Sequence, residues 1–248
     1  MKKTFFLWLF IAAALFANSQ GSTLYQVNVV KPKAGMKSAF EASWKTHLNA
    51  YHQATDKRNV YEVTSGPENG SYVIVEGPFS YADMDKAKPN AKAHGLDLEK
   101  NFSPKLEPGS NNFIVRWADT LSYKGDPTAE KHLLTITVVK DGKMGEYLTE
   151  MRRNVLISEK INSPFSYNVM IKQQAGSVPT IIGIRYLKNG YKELDSDFFK
   201  LPPNGFRDAY VKDYGQEAWD KRVKLLVDNR VSQEQHFEEL RKDLSSKQ

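Results

Sequence analysis

Residues 24–31 read LYQVNVVK, and residues 133–140 read LLTITVVK. Both alternate side chains with the period of a strand and close on Val-Val-Lys. In the first copy Leu24, Gln26, Asn28 and Val30 point one way, while Tyr25, Val27 and Val29 point the other. Pro32 and Gly35 stop that strand. Met36, Phe40, Trp44, Leu48 and Tyr51 then recur at helical spacing and form one apolar stripe. Asn59 to Thr64 reads as a second strand. Gly66-Pro67-Glu68-Asn69-Gly70 is a strongly punctuated turn. Ser71 to Glu76 is a third strand, stopped by Gly77-Pro78. Residues 80–100 are polar and in part helical. Asn112 to Trp117 is a fourth strand. The order is βαββαβ.

The second copy opens the same series again. Leu133 to Lys140 is its first strand, and Met144, Tyr147, Leu148, Met151 and Val155 give the helical stripe. Phe165 to Ile171 and Thr180 to Tyr186 are the hairpin strands. Lys31 aligns with Lys140 and Met36 with Met144. Tyr61, Gly70 and Gly77 align with Tyr167, Gly176 and Gly183. A repeat of this kind outweighs single propensities. Asp195 to Phe199 and the region from Phe206 to Asp228 read as helical, with Trp219, Val223 and Leu226 on one stripe. For residues 231–245 two readings stand. Phe237, Leu240 and Leu244 have helical spacing, yet Leu240-x3-Leu244-Ser245 echoes Trp117-x3-Leu121-Ser122. The repeat demands a strand there, and a short strand is the preferred expectation.

The N-terminal segment sets an expectation about address. Lys2 and Lys3 precede an unbroken apolar run from Phe5 to Ala17. That run is shorter than the roughly 20 residues a spanning helix needs. Ala17-Asn18-Ser19 offers small residues for cleavage before Gln20. Residues 1–19 therefore read as a signal peptide, and the remainder as secreted or periplasmic. The sequence suggests units at 20–125 and 126–248, the second with a helical C-terminal extension. The absence of cysteine among 248 residues excludes disulfides, thiolate catalysis and Cys-ligated metals. The net charge of +6 is dispersed, with Lys and Arg interleaved with Asp and Glu. No stripe tracks phosphates, so no nucleic-acid partner is expected. No membrane partner is expected after cleavage, and a homo-oligomer is left open.

Two tandem βαββαβ units resemble a ferredoxin-like pair and, more narrowly, the dimeric α/β-barrel superfamily. That group includes antibiotic-biosynthesis monooxygenases, haem-degrading monooxygenases, EthD-like and NIPSNAP proteins. The resemblance covers most of the chain and rests on element order. It implies an α+β fold in which two four-stranded sheets cover each other's bare faces within one chain, an intrachain pseudo-dimer. Each sheet then has the strand order 4-1-3-2. Members have many activities, so fold alone assigns none. Haem-degrading members share an Asn-Trp-His set, and Asn28, Trp44 and His47 are of those types. No cofactor is expected.

Arg116, Asn28, Glu76 and Glu62 lie among apolar neighbours on the four strands of the first unit. Aimed into a barrel, one Arg and two carboxylates make an acid–base or binding site. Aimed outward, they are solvated strand residues; the alternation alone permits both. The second unit offers the milder Thr135, Thr137, Asn168 and Arg185, so a site would be centred on the first half. Five histidines, His47, His52, His94, His132 and His236, form no metal-binding motif. His47 and His52 are five apart and would face apart on a helix, so no metal site is expected. His47, beside Trp44, is a weak catalytic candidate. Trp44, Asn28 and Tyr61 are ligand-binding candidates among many aromatics. No Gly-rich phosphate loop or GxSxG motif occurs.

Two functional expectations follow. In the first, an exported protein binds a small apolar or aromatic molecule in a barrel pocket, a setting suited to cofactor-free oxygenase- or isomerase-like chemistry. In the second, the barrel is filled by side chains and the protein is a non-catalytic structural or interaction module.

Overall fold

A computed structural model describes residues 23–52, 57–88, 90–125, 129–173, 178–195, 198–199 and 205–246. The expected signal peptide and Gly176 lie outside these residues. The first unit contains β1 (Leu24–Val30), α1 (Lys37–Tyr51), β2 (Arg58–Val63), β3 (Tyr72–Phe79), two short helices α2 (Tyr81–Met84) and α3 (Ala91–Asp97), and β4 (Asn111–Trp117). The second contains β5 (Lys131–Val139), α4 (Met144–Lys160), β6 (Tyr167–Lys172), β7 (Thr180–Tyr186), α5 (Gly205–Tyr214), α6 (Gln216–Asp228) and β8 (Arg230–Leu240). Among the described residues no helix is long and apolar enough to cross a membrane.

The eight strands close into one antiparallel barrel in the order β1-β3-β2-β8-β5-β7-β6-β4. Each half has the expected 4-1-3-2 order, and the halves meet at two seams, β2 with β8 and β4 with β6. Closure pairs the edge strands of the two halves with each other among the described residues. The expectation of an α+β pseudo-dimer with a closed barrel is met.

The physical logic is one of faces. Val27, Val73 and Val115 from one half meet Leu134 and Ile182 from the other inside the barrel. On the outer side, Phe40, Trp44 and Leu48 of α1 bury Val30, Tyr72 and Ile74. Tyr147 and Val155 of α4 likewise cover Val139, Val169 and Ile181. Each sheet is thus apolar on both faces at its centre, which explains the dense runs of Val and Ile.

Gly77-Pro78 does not stop the third strand; it lies inside β3. There the pairing of β1 with β3 shifts register between Leu24 and Gln26. A bulge tolerates a residue that cannot donate an N–H. The C-terminal segment is a strand, as the repeat demands, and the helices α5 and α6 precede it.

The two seams repeat bond for bond. Ala118 N–H donates to Val169 O (2.8 Å) and Val169 N–H to Ser122 Oγ (3.0 Å). At the other seam Arg241 N–H donates to Val60 O (2.8 Å) and Val60 N–H to Ser245 Oγ (3.0 Å). Leu121 and Leu244 each end a single 3₁₀ turn just before the serine. The Trp117/Leu240 echo is therefore a real structural equivalence. The same seams pair Tyr61 with Leu240 and Met170 with Trp117, so Tyr61 corresponds to Met170 rather than to Tyr167.

Candidate functional site

The barrel encloses a cavity of about 680 Å³. That lies within the range of about 300–1,000 Å³ typical of small-molecule sites. The barrel is therefore not filled by its own side chains, contrary to the second functional expectation. Its walls are apolar, drawn from Val27, Val75, Phe113, Ile136, Met170 and Ile184. At one end it is framed by exposed Pro67 and Glu68, the loop from Glu107 to Asn111, and Glu234. This end is the mouth.

The opposite end is a buried polar floor. Strand pairing sets Tyr186 of β7 and Glu238 of β8 directly across from His132 of β5. All three are buried, as is Tyr61. The His132 ring lies 4.9 Å from that of Tyr61 and meets Tyr186 edge-on at 5.0 Å. His132 Nε2 is 3.0 Å from the carbonyl of Ala129. A carbonyl only accepts, so Nε2 carries the proton and Nδ1 of the neutral ring is bare. Burial pushes His132 below the ordinary histidine range, against the opposing pull of Glu238 and Ala129. Burial also raises the Tyr61 hydroxyl, with Glu238, Tyr186 and Tyr25 adding to the effect. The floor thus presents a neutral imidazole and a protonated phenol near neutral pH.

Asn168 completes the floor. Its Nδ2 donates to the Tyr186 hydroxyl at 2.7 Å. Its Oδ1 is buried without a hydrogen-bond partner among the described residues. The amide is seated against Gly125, where an added Cβ would lie 2.1 Å from Oδ1. Such a contact is impossible, so the position of Asn168 requires glycine at 125. On β8, His236 Nε2 and Glu238 Oε1 are 3.0 Å apart, both buried on one face of the strand.

Of the candidates from the first half, only Tyr61 lines this cavity; of the milder set from the second half, Asn168 does. Asn28, Glu62, Glu76 and Arg116 lie on the outer face, because the inward set on their strands is the odd-numbered one. Nor do they form a row: Asn28 stands opposite Ile74 and Asn112, Arg116 opposite Leu24, and Glu76 opposite Gln26 and Arg58. Glu62 is engaged by Lys37 and by Arg241 Nη1 at 2.7 Å. Glu76 is bridged by Arg58 and Lys88, each at 2.9 Å. These are fixed ion pairs, not free acid–base groups. The polar site is centred on the second half, since β5, β6, β7 and β8 supply His132, Asn168, Tyr186 and Glu238. Sequence reasoning missed it because a strand's phase cannot be read when both faces are apolar. Asn168 stood among the second unit's strand residues and His132 among the five histidines, but no local pattern joined them.

Asn28, Trp44 and His47 do not share a pocket and do not fit a haem. Trp44 Nε1–H donates to Leu244 O at 2.6 Å in the helix-facing core. His47 is buried beneath α1, with Nδ1 2.6 Å from Asp97 Oδ2. The expectation that His47 and His52 face apart also fails. α1 ends at Tyr51, and His52 leaves it with φ −118° and ψ 75°, which turns its ring back beside His47.

The chain has the dimeric α/β-barrel fold. A protein of Lactobacillus acidophilus provisionally named a monooxygenase superposes with a TM-score of 0.53 at 9% identity, covering 92% of this chain and 97% of that one. A second provisionally named monooxygenase, from Fusobacterium nucleatum, gives 0.53 at 12% identity over 89% and 93%. A chlorite dismutase of Candidatus Nitrospira defluvii gives 0.51 at 8% identity over 90% and 92%. At such identities the likeness is one of fold. No protein-family profile and no curated protein sequence matches the chain.

Proposed function

We propose that this chain is a small-molecule-binding α/β barrel, taking an apolar or aromatic-sized ligand that carries one hydrogen-bonding end. The observation that carries the reading is the 680 Å³ cavity with an apolar wall and a buried polar floor. The ligand's apolar body packs against the wall, and its polar end meets His132, Tyr186 and Asn168. The orphaned Asn168 Oδ1 calls for a donor, such as a phenol or enol hydroxyl. Neutral His132 beside protonated Tyr61 suits proton transfer on that group, which is the requirement of cofactor-free oxygenase- or isomerase-like chemistry. The Sec-type features of residues 1–19 support export, and cell fractionation of the tagged full chain tests it.

A thermal-shift screen on the chain from residue 20 tests the binding proposal. A ligand at a hundredfold excess over its Kd stabilises by about 2.7 kcal/mol. For a chain of this size that is about 5–11 °C in Tm. The shift disappears in Ile182→Trp, which fills the cavity. Silence of the wild type across quinones, flavins, haem and aromatic acids and phenols overturns the proposal.

A further inference from the structure

Outside the barrel, three histidines converge on one point. His47 lies near the C-terminal end of α1, His52 just beyond it, and His94 on α3. Their Nε2 atoms form a triangle with each side 3.2 Å. Zn²⁺ holds imidazole nitrogens at about 2.0–2.1 Å. Three such ligands around one ion stand about 3.0 Å apart at octahedral angles and about 3.4 Å apart at tetrahedral angles. The observed triangle lies between those limits.

Hydrogen bonding within the triangle does not account for it. His47 Nδ1 faces Asp97 Oδ2 at 2.6 Å, and a carboxylate only accepts. The ring therefore carries its proton on Nδ1 and turns a bare lone pair toward the other two rings. Three mutual contacts between Nε2 atoms need more protons along the edges than neutral rings can place there. One cation at the centre satisfies all three lone pairs at once. Asp97 is in turn held by Asn101 Nδ2 at 2.7 Å. A carboxylate on the far nitrogen of a ligating histidine is the arrangement that orients such a ligand.

The surroundings suit an ordered site. Trp44 stacks on the rings of His47 and His52, and Tyr51 packs edge-on against His94. His47 and His52 are buried, while His94 is half-buried and gives the approach from solvent. The nearby Arg58 is bridged to Glu76 at 2.9 Å, which offsets its charge beside an incoming cation.

We propose that His47, His52 and His94 form a site for one divalent transition-metal ion of the zinc class. Three neutral imidazoles suit Zn²⁺, Cu²⁺ and Ni²⁺, not Mg²⁺ or Ca²⁺, which take oxygen. The three protein ligands leave a further coordination position on the His94 side. The ion clips α3 to the end of α1. The chain running on from α3 reaches Glu107 to Asn111 at the barrel mouth, so the clip also steadies that frame.

Isothermal titration of Zn²⁺ into the EDTA-treated chain, purified without a histidine tag, tests the site. The expected result is saturable binding of one ion per chain, with no response to Mg²⁺. His94→Gln abolishes it, whereas His132→Gln in the barrel floor leaves it intact. Asp97→Asn weakens it by about 10–100-fold. Failure of the wild type to bind stoichiometrically, or binding unchanged in His94→Gln, overturns the proposal. Should His94→Gln not fold, anomalous diffraction at the zinc edge from wild-type crystals decides the matter. A peak amid the three Nε2 atoms sustains the site, and a peak elsewhere or none refutes it.

Discussion

Replacing Ser245 by Ala is the sharpest probe of how the barrel closes. Ser245 Oγ accepts from Val60 N–H at 3.0 Å and donates to Arg241 O at 2.9 Å. Val60 is 0% exposed. Removing the hydroxyl leaves that N–H buried and unpaired, a loss of about 1–3 kcal/mol. With a Tm change of about 2–4 °C per kcal/mol for a chain of this length, a central value of about 2 kcal/mol lowers Tm by about 4–8 °C. Ser122→Ala at the other seam is worse. Ser122 Oγ accepts from both Val169 N–H and Trp117 Nε1–H, each at 3.0 Å, so two donors are stranded. Its expected loss is about 2–4 kcal/mol. Urea unfolding of both variants and of the double variant measures these values, and the two losses should add because the seams are separate. Ser→Thr at either position retains the hydroxyl and most of the stability. If Ser245→Ala lies within about 0.5 kcal/mol of wild type, as an ordinary surface change does, the serine is not part of the seal.

Gly125→Ala should displace Asn168, break its bond to Tyr186 and lower Tm. In an Asn168→Ala background the same change should be nearly silent, a non-additivity read by a double-mutant cycle. His132 has its pKa lowered in the folded state, so between that value and the unfolded value of about 6.5 the unfolded chain binds more protons and stability rises with pH. The contribution is complete above about pH 6.5 and is lost as pH falls toward the folded pKa. His132→Phe should therefore show a shallower fall in urea midpoint between about pH 7.5 and 5 than the wild type. Glu62→Gln and Glu76→Gln should leave ligand affinity unchanged, because both side chains lie outside the barrel. A tenfold loss of affinity in either would contradict the strand phase described above.

The element order and the duplication were legible because turns and helical stripes are local signals that recur. The terminal echo of Trp117 and Leu240 carried even the 3₁₀ turns that follow them. Which face of each strand looks inward was not legible. Val30 buries against α1 while Val27 and Val29 line the barrel, so apolar residues mark both faces of one strand. Glu62 and Arg116 looked like a site because charge among apolar neighbours is unusual, yet Glu62 answers Arg241, a residue far along the chain. His94 and His52 come together only through the placement of α3 against the end of α1. Spacing along the chain carries no trace of that contact.

The reciprocal seams impose an order on synthesis. β2 is among the first strands made, yet its buried Val60 N–H finds its partner only in Ser245. Until residue 245 has been made and released, β2 presents an open flank to the cell. A nascent chain of this design therefore cannot close its barrel for most of its translation. Its cavity comes into being late and all at once.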